Sequence, residues 1–231
     1  LLGIGKVTRL LSYLTTLPKS YVGEVVLGVE TSTLDAAGEV TATHDMRAVT
    51  LEQARAASTR FVGDIEQVPP MVSAVKIGGK RLHELARAGE TVERPPRPVT
   101  VHRLHLDEVA PATEREAMVL RIEVDCSSGT YIRTLADDLG HALGGGAHLR
   151  NLRRTAIGSF TLAEAHPVES LEILPPAVAM RDYPSVTASD EVAARIANGA
   201  VLERAELGLP GPDAEGASGP WAVLSTAGEL L

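Results

Sequence analysis

Aromatic side chains are scarce in this chain, and two of them, Tyr21 and Tyr131, are candidates to contact a planar substrate ring. The sequence holds four tyrosines, two phenylalanines and one tryptophan. Tyr21 falls in an alternating, valine-rich stretch, and Tyr131 lies two residues before Arg133. A nucleobase extruded from folded RNA is received on an aromatic or apolar surface. A tyrosine within a strand is by default a core or edge residue, so neither position carries a function alone.

The relative direction of Tyr131 and Arg133 depends on where the next helix begins. If the chain is still extended at these residues, both side chains face one side. If the helix already opens at Thr130, the two side chains diverge. An arginine beside Asp137 and Asp138 is ordinarily half of a surface ion pair that adds little stability.

Positive charge is concentrated in parts of the chain, although the whole chain is acidic. The formal net charge is −8, and residues 163–231 account for it with eleven acidic against three basic side chains. Residues 73–103 carry seven bases against three acids. The seven bases are Lys76, Lys80, Arg81, Arg87, Arg94, Arg97 and Arg103. A second basic cluster is Arg150, Arg153 and Arg154. Phosphate binding depends on where positive charge lies, so both clusters are candidate nucleic-acid contacts, and a solvated surface is the plain alternative.

Length and composition restrict the class of protein. A chain of 231 residues suits one medium domain with a small appendage. No apolar run approaches the roughly 18 residues that span a bilayer, and the first residues are too few and too charged for a signal peptide. The single cysteine, Cys126, excludes a disulfide framework and favours a reducing cytoplasm.

Patterns typical of metal and nucleotide sites are absent from the sequence. The glycine pair before Lys80 lacks the G-x-x-x-x-G-K-[ST] pattern of a phosphate loop, and residues 144–146 lack the strand, turn and helix of a dinucleotide site. The histidines have no cysteine or carboxylate partners at metal-site spacing. We therefore expect no metal and no cofactor.

Periodicity predicts helices and strands in alternation. Helices are expected at residues 6–14, 50–61, 81–88 and 130–143. A capping box of Thr50 and Gln53 opens the second helix, and Gly89 ends the third. Strands are expected at residues 21–29, 99–109, 118–126, 149–152 and 156–162. This pattern predicts an α+β fold with a mostly antiparallel mixed sheet flanked by helices.

The connections and the C-terminal region complete this prediction. Residues 31–38 are expected to form a turn and residues 111–116 a hairpin loop. After residue 176 the composition shifts, and a strand, turn and helix over 186–202, a loop over 210–219 and a last strand over 221–224 are expected. We therefore predict two domains, residues 1–176 and residues 177–231.

Four segments form a pattern that is more specific than any one of them. They are Lys19-Ser20-Tyr21 with Leu27-Gly28 and Thr31-x-Thr33-x-Asp35; Gly63-Asp64-Ile65-x-Gln67-x-Pro69-Pro70-x-x-Ser73-Ala74-x-Lys76; Ala86-Arg87-x-Gly89 with Arg97-Pro98-Val99-Thr100-Val101; and Cys126-Ser127-Ser128-Gly129-Thr130-Tyr131-Ile132-Arg133 with the segments at 137–140 and 146–154. In this order and spacing they resemble the TruB family of pseudouridine synthases along nearly all of residues 1–165.

The resemblance implies a fold, a reaction and a partner. The fold is that of the pseudouridine synthases, followed by a small PUA-like C-terminal domain. The reaction isomerises the T-loop uridine at tRNA position 55 to pseudouridine without a cofactor. The implied partner is the T stem-loop of tRNA, bound by a cytoplasmic protein that we expect to be a monomer.

The resemblance also assigns roles to individual residues of the pocket. Tyr21 is placed against the flipped uracil and is a candidate for the base that moves a proton. Arg133 pairs with the catalytic aspartate, Tyr131 lines the pocket, Leu152 packs against the bound base, and Asp35 belongs to the surroundings of the pocket.

The basic residues take the role of RNA contacts under the same resemblance. Lys76, Lys80 and Arg81 are implied to contact the backbone of the T stem-loop. Arg153 and Arg154 complete the expected RNA-binding set.

The nucleophile of the family lies in a G-H-x-G-T-L-D-P motif that precedes a segment matched here by residues 2–8. We therefore expect it upstream of Leu1. Asp35 stands in a partly similar Thr-Leu-Asp sequence, but Ser32 replaces the glycine, Ala36 replaces the proline, and the segment follows Tyr21 instead of preceding it. Asp35 is accordingly not expected to be the nucleophile, and the 231-residue chain is expected to be inactive by itself.

Two other functions remain open at this point. The chain is alternatively a catalytically inactive module that binds or folds tRNA. A relative of the archaeal and eukaryotic enzymes, which take their target from a guide RNA, is disfavoured by the acidic C-terminal region and by residues 63–76.

Overall fold

The computed structural model describes residues 1–111, 117–211 and 218–231, and the chain divides into two compact units. One unit is Leu17–Ile157, and the other consists of Leu1–Thr16 and Gly158–Leu231. The domain boundary at residues 176 and 177 stays a prediction. Most of the hairpin loop expected at 111–116 and the middle of the loop expected at 210–219 lie outside the described residues.

The predicted helices are confirmed, with shifted ends. The α-helices of the described residues are α1 (Leu11–Thr16), α2 (Leu51–Ser58), α3 (Leu82–Arg87), α4 (Ile132–Ala142) and α5 (Asp190–Ala197). A 3-10 turn at Gly5–Leu10 precedes α1, and another at Thr59–Phe61 continues α2. The capping box of Thr50 and Gln53 is present, and Gly89, with a φ of 74°, follows α3.

The strands include several that the sequence did not predict. They are β1 (Lys19–Leu27), β2 (Val29–Thr31), β3 (Val40–Thr43), β4 (Gly63–Gln67), β5 (Lys76–Ile77), β6 (Lys80–Arg81), β7 (Arg97–Pro111), β8 (Met118–Cys126), β9 (Ala147–Ile157), β10 (Phe160–Thr161), β11 (Ser185–Thr187) and β12 (Ala222–Leu224). Strands β3 to β6 escaped prediction because they are short and largely polar.

Two predicted strand boundaries are wrong. The expected strand at 21–29 is interrupted at Gly28, whose φ of 84° ends β1. A Cβ at Gly28 would lie 2.8 Å from the carbonyl oxygen of His44, so the chain approaches its neighbour too closely for a side chain. The two strands expected at 149–152 and 156–162 are instead the single strand β9, followed by the two residues of β10.

The larger unit is built on an antiparallel sheet. Strands β4, β7, β8, β1 and β9 lie side by side in this order, and every neighbouring pair is antiparallel. The predicted antiparallel sheet flanked by helices is therefore confirmed. Two antiparallel hairpins, β2 with β3 and β5 with β6, belong to the same unit.

One face of this sheet packs against α4 and α2. The apolar residues of α4 recur at helical spacing, at Ile132, Leu135, Ala136 and Leu139, and all are buried. They meet buried side chains of β1 and β8, including Leu120. Burying one such leucine or isoleucine contributes roughly 1.5–3 kcal/mol, so this contact fixes the helix against the sheet.

The smaller unit combines both ends of the chain. Its C-terminal part holds β11 and β12, which pair in parallel, and α5, whose first turn is capped by Ser189. These elements confirm the strand, helix and last strand expected after residue 176. The Tyr13 and Tyr183 rings meet edge to face at 5.9 Å, and the Tyr183 hydroxyl donates a hydrogen bond to the carbonyl of Tyr13.

Among the described residues, no helix combines the length and the apolarity that crossing a bilayer requires.

We expect Asp137→Asn to raise the thermal unfolding midpoint at pH 7. Burial on α4 raises the pKa of the Asp137 carboxyl, and this effect outweighs the opposing one of His141. Because the folded state favours the neutral acid, its stability is complete at low pH and is lost as the pH rises through the raised pKa. The gain, followed by calorimetry, should therefore vanish below about pH 4.

The control for this prediction is Asp45→Asn. Hydrogen bonds from Arg47 hold the pKa of the exposed Asp45 carboxyl at about 2, so its neutralisation should give no gain. Equal gains from both substitutions would contradict the burial argument.

Candidate active site

A cleft of about 300 Å³ brings together three of the predicted site residues, Asp35, Arg133 and Leu152. Ala36, Ala37, Leu149, Arg150 and Asn151 complete its lining. The residues come from the turn after β2, the first turn of α4 and the middle of β9. Three separate elements therefore build one concave surface.

Asp35 is fixed by the backbone of its turn. The turn pairs with β9, because the Leu149 amide donates to the carbonyl of Leu34 at 3.0 Å and the Ala36 amide donates to the carbonyl of Leu149 at 2.9 Å. Leu34 adopts a φ of 60° to make this possible. The Thr31 hydroxyl donates to the Asp35 carbonyl at 2.7 Å, so the turn holds its aspartate at a defined place.

Arg133 forms an ion pair with Asp35. The distance from Arg133 Nη1 to Asp35 Oδ2 is 2.9 Å, and the two side chains are 32% and 26% exposed. The same Nη1 lies 3.5 Å from the carbonyl oxygen of Thr33. The Thr33 hydroxyl donates to Asp35 Oδ1 at 2.6 Å, so cation and anion share a single network.

The direction of Leu152 follows from a bulge in β9. Along the pairing with β1, Val22 faces Arg153 and Glu24 faces Arg150, so two residues of β9 stand opposite the single Gly23. Such a bulge shifts the alternation of the strand by one residue and re-aims the side chains after it. A Cβ added to Gly23 would lie 3.3 Å from the Leu152 side chain, so Leu152 covers this glycine.

Asn151 makes the bulge possible. Its φ of 52° lies in the left-handed region, which asparagine tolerates better than most residues. Its side-chain amide donates to Glu24 Oε2 at 3.1 Å. The same carboxylate pairs with Arg150 at 2.7 Å, so Glu24 holds the residues on the N-terminal side of Leu152.

Tyr21 lies beside this cleft rather than on its lining. It is two residues before Gly23 on β1, on the same face of the sheet, at a Cα spacing of roughly 7 Å. The ring is half-buried against the core. Burial raises the pKa of the Tyr21 phenol, Cys126 raises it further, and the Arg154 guanidinium opposes the rise. The phenol is therefore neutral at neutral pH.

The two arginines that end the second basic cluster point to opposite faces. Arg154 stands opposite Tyr21 in the sheet, and its guanidinium lowers the pKa of the Tyr21 phenol against the effect of burial. Arg153 stands opposite Val22, and neighbouring strand residues face opposite sides. The structure thus separates two residues that the sequence placed in one RNA-binding set, and their contacts with RNA stay a prediction.

Tyr131 caps the beginning of α4 and is not among the residues that line the cleft. The helix begins after it, at Ile132, and Tyr131 itself is extended, so the boundary falls between the two alternatives that the sequence left open. Gln67, buried at the end of β4, bonds both backbone groups of Tyr131. The sequence analysis missed Gln67 as a site residue, although a glutamine in a short stretch before two prolines was a visible signal.

The predicted RNA-binding residues Lys76, Lys80 and Arg81 lie on the β5–β6 hairpin, outside the cleft. All three are exposed. Lys76 and Arg81 are direct cross-strand partners. Like charges placed opposite each other destabilise a sheet, so this pair favours an anionic partner over a purely structural role.

The described residues contain no group of three or more histidine, cysteine, aspartate or glutamate side chains that is suited to hold a metal ion. The chemistry of the cleft is therefore that of an arginine beside a carboxylate, with apolar surface from Leu149 and Leu152. A planar ring fits against such a surface, and the guanidinium is available to orient an anionic group.

Two family models match the sequence. The model described as "TruB family pseudouridylate synthase (N terminal domain)" matches residues 1–132. The model described as "tRNA pseudouridylate synthase B C-terminal domain" matches residues 133–178.

Curated relatives resemble most of the chain. The tRNA pseudouridine synthase B of Symbiobacterium thermophilum is 50% identical over 201 residues, which are 85% of this chain and 66% of that protein. The tRNA pseudouridine synthase B of Arthrobacter sp. (strain FB24) is 42% identical over 235 residues, which are 100% of this chain and 76% of that protein. The chain thus spans about two thirds to three quarters of the length of these relatives.

Solved structures share the fold. A chain of the structure titled "Crystal Structure of a Cbf5-Nop10-Gar1 Complex" superposes with a TM-score of 0.66 at 25% identity, over 99% of this chain and 62% of that chain. A chain of "Structure of H/ACA RNP bound to a substrate RNA containing 2'-deoxyuridine" gives a TM-score of 0.65 at 22% identity, over 99% of this chain and 62% of that chain. The second likeness concerns the fold alone.

We expect Asn151→Val to destabilise the larger unit by about 1–2 kcal/mol, because a β-branched residue is strained at positive φ. The thermal midpoint should fall by about 2–4 °C for each kcal/mol. Asn151→Gly is the control, since it accepts this backbone conformation while also losing the bond to Glu24. Equal losses from the two substitutions would show that the Glu24 bond, and not the backbone, stabilises the bulge.

Proposed function

Because the chain belongs to the TruB family of pseudouridylate synthases, we propose that its cleft serves the isomerisation of the T-loop uridine of tRNA to pseudouridine. The observation that carries the proposal is the Arg133–Asp35 ion pair beside Leu152 and Tyr21. Pseudouridine formation breaks the bond from C1′ to N1 of the base, turns the base, and joins C1′ to C5. It therefore requires a pocket that holds a loose uracil and a carboxylate aimed at the nucleoside.

The apolar and aromatic groups supply the surface for the base. Leu152 and Leu149 line the cleft, and Tyr21 stands on β1 two residues before Gly23, which both leucine side chains cover. A flipped pyrimidine binds by contact with such groups. Leu152 is aimed by the bulge at Asn151, so a local feature of β9 sets the shape of the pocket.

Tyr21 is the candidate for moving the proton from C5. A neutral phenol accepts a proton only after it has lost its own, and the raised pKa of Tyr21 makes that loss harder. The Arg154 guanidinium is the neighbour that favours the phenolate. We infer that Arg154 assists this step in addition to, or instead of, contacting RNA.

Asp35 is better suited to orient Arg133 than to attack the nucleoside. Its Oδ1 accepts hydrogen bonds from the Thr33 hydroxyl and from the Ala37 amide at 3.1 Å, and its Oδ2 pairs with Arg133. A carboxylate that is engaged on both oxygens is a weakened nucleophile. Ser32 and Ala36, which replace the glycine and the proline of the family motif, also argue against Asp35 as the nucleophile.

Arg133 has donors left for a second carboxylate. An arginine carries five N–H donors, in a fork that matches a carboxylate. Among the described residues, its contacts to Asp35 and to Thr33 use Nη1 alone. We propose that the remaining nitrogens hold the nucleophilic aspartate, which belongs to the segment that precedes Leu1 in the family.

The β5–β6 hairpin is the proposed contact for the T stem-loop. Lys76, Lys80 and Arg81 are exposed and carry no opposing charge across the hairpin. Binding through them should weaken steeply as salt rises, because phosphate neutralisation releases counterions. Without the nucleophile, the 231-residue chain retains this role as a binding module.

We expect the 231-residue chain to bind a T-arm transcript and form no pseudouridine, whereas a chain extended upstream through the aspartate motif does both. Tritium release from a transcript labelled at C5 of uracil measures the reaction, since the new carbon–carbon bond displaces that hydrogen. Binding measured at two salt concentrations separates the two functions. Clear tritium release by the 231-residue chain would contradict the proposal and indicate Asp35 as the nucleophile.

In the extended protein, Arg133→Ala should lower kcat by about 100-fold or more, because the carboxylate loses its oriented charge partner, and should leave RNA affinity nearly unchanged. Arg133→Lys should recover part of the loss, since an ammonium keeps the charge but not the fork. Arg121→Ala removes an exposed arginine that pairs with Glu123 and is the matched control. An unchanged kcat in Arg133→Ala would refute the proposed role of this arginine.

A further inference from the structure

We propose that Gln67 is a positioning residue, which fixes the start of α4 and thereby the direction of Arg133. This inference rests on the proposed function for its catalytic consequence, but its structural part does not. Gln67 is the last residue of β4 and is 1% exposed. A fully buried amide side chain does not contribute to solubility and must be hydrogen-bonded inside the protein, so its partners indicate its role.

The side-chain amide of Gln67 pairs with both backbone groups of one residue. The Tyr131 amide donates to Gln67 Oε1 at 2.9 Å, and Gln67 Nε2 donates to the Tyr131 carbonyl at 3.2 Å. A neighbouring strand would bond a residue in the same two-point manner. Gln67 therefore fixes the orientation of the Tyr131 backbone. A single hydrogen bond would leave that backbone free to rotate about the bond.

This clamp acts where the helix begins. Tyr131 is the N-cap of α4, extended at a φ of −99° and a ψ of 104°, and no side chain caps the helix from that position. Its carbonyl also accepts the first helical bond, from Leu135 at 3.0 Å. Gln67, on another element of the fold, thus orients the N-cap residue without bonding the free amides of the first turn.

The other end of the loop is tied to the same sheet. Ser127 exchanges hydrogen bonds with Thr100 of β7: the Ser127 amide donates to the Thr100 carbonyl, and the Thr100 amide donates to the Ser127 hydroxyl. Strands β7 and β4 are neighbours. The loop between β8 and α4 is therefore fastened at both ends, and Gln67 supplies the end next to Arg133.

The position of Arg133 is sensitive to this clamp. Its guanidinium lies on the order of 7 Å from its Cα, so a change of about 10° at the start of the helix moves the charged group by about 1 Å. A misplacement of that size is enough to lower a catalytic rate by about 100-fold. Because Arg133 pairs with Asp35 and is proposed to hold the nucleophile, Gln67 acts on catalysis through it.

The most informative substitution is Gln67→Glu in the upstream-extended protein. A protonated carboxyl reproduces the amide, with one acceptor for the Tyr131 amide and one donor for its carbonyl. A carboxylate has no donor and places a buried charge against that carbonyl. The charged neighbours are Glu66 on β4, Arg97 across the strand pair, and Arg133 on α4.

We expect kcat of Gln67→Glu, divided by kcat of the unchanged protein, to fall by about 100-fold as the pH rises through the pKa of the new carboxyl. The dissociation constant for T-arm RNA should stay the same at all pH values. Gln67→Leu should show the loss at every pH. Glu66→Gln changes a charge at the exposed neighbouring position and should behave as the unchanged protein.

A measurement without catalysis separates this inference from the proposed function. In the 231-residue chain labelled with ¹⁵N, the Tyr131 amide resonance should titrate in Gln67→Glu and should shift in Gln67→Leu. If these signals do not respond, or if the kcat ratio is independent of pH, the positioning role of Gln67 is overturned. If the signals respond while the unchanged extended protein forms no pseudouridine, the clamp stands and the proposed function fails.

Discussion

The ion pair of Arg133 and Asp35 is the interaction on which the cleft depends. Removing one partner would leave the other partly buried without its counterion, which costs more than the pair itself contributes. The fold therefore fixes both partners through the backbone, Asp35 by the pairing of its turn with Leu149 and Arg133 by the start of α4. The turn that carries Asp35 and the start of α4 thus determine one short contact, so a small displacement of either element changes the geometry of the ion pair.

The bulge in β9 is the second constraint, and it shows why part of the site escaped the sequence. Strict alternation from the buried Leu149 would aim Leu152 at the opposite face. Asn151 accommodates the shift with a left-handed backbone, and no local sequence pattern predicts that conformation for an asparagine between an arginine and a leucine. The sequence analysis divided this strand in two because the run of arginines hid its continuity, and pairing with β1 is what makes it one.

Other features were predictable because they are local. The capping box at Thr50, the amphipathic face of α4 and the long strands β7 and β8 each depend on residues close together in the chain. The roles of Tyr21, Arg133 and Leu152 came from resemblance to a family and not from periodicity. Gln67 belonged to the resembling pattern without an assigned role, since its partner Tyr131 is on a distant element and its side chain bonds backbone groups.

The basic side chains of the two units differ in whether they form ion pairs. In the smaller unit, Arg181 bonds both oxygens of Glu164 and lies over the Phe160 ring, while Arg195 pairs with Glu206. These arginines are engaged inside an acidic region. The hairpin with Lys76 and Arg81 presents its charge outward, so RNA affinity is expected there rather than in the acidic unit.

The start of α4 adds an electrostatic argument for a second carboxylate. A helix N-terminus carries partial positive charge, and a cation in its first turn is disfavoured by roughly 0.3–1 kcal/mol. Arg133 occupies that turn, and no acidic side chain accompanies it. Asp35 compensates one positive charge, but the helix end and the guanidinium together still favour an anion. The proposed nucleophilic aspartate, delivered to this place, would be kept ionised by both, which is the state that a nucleophilic carboxylate requires.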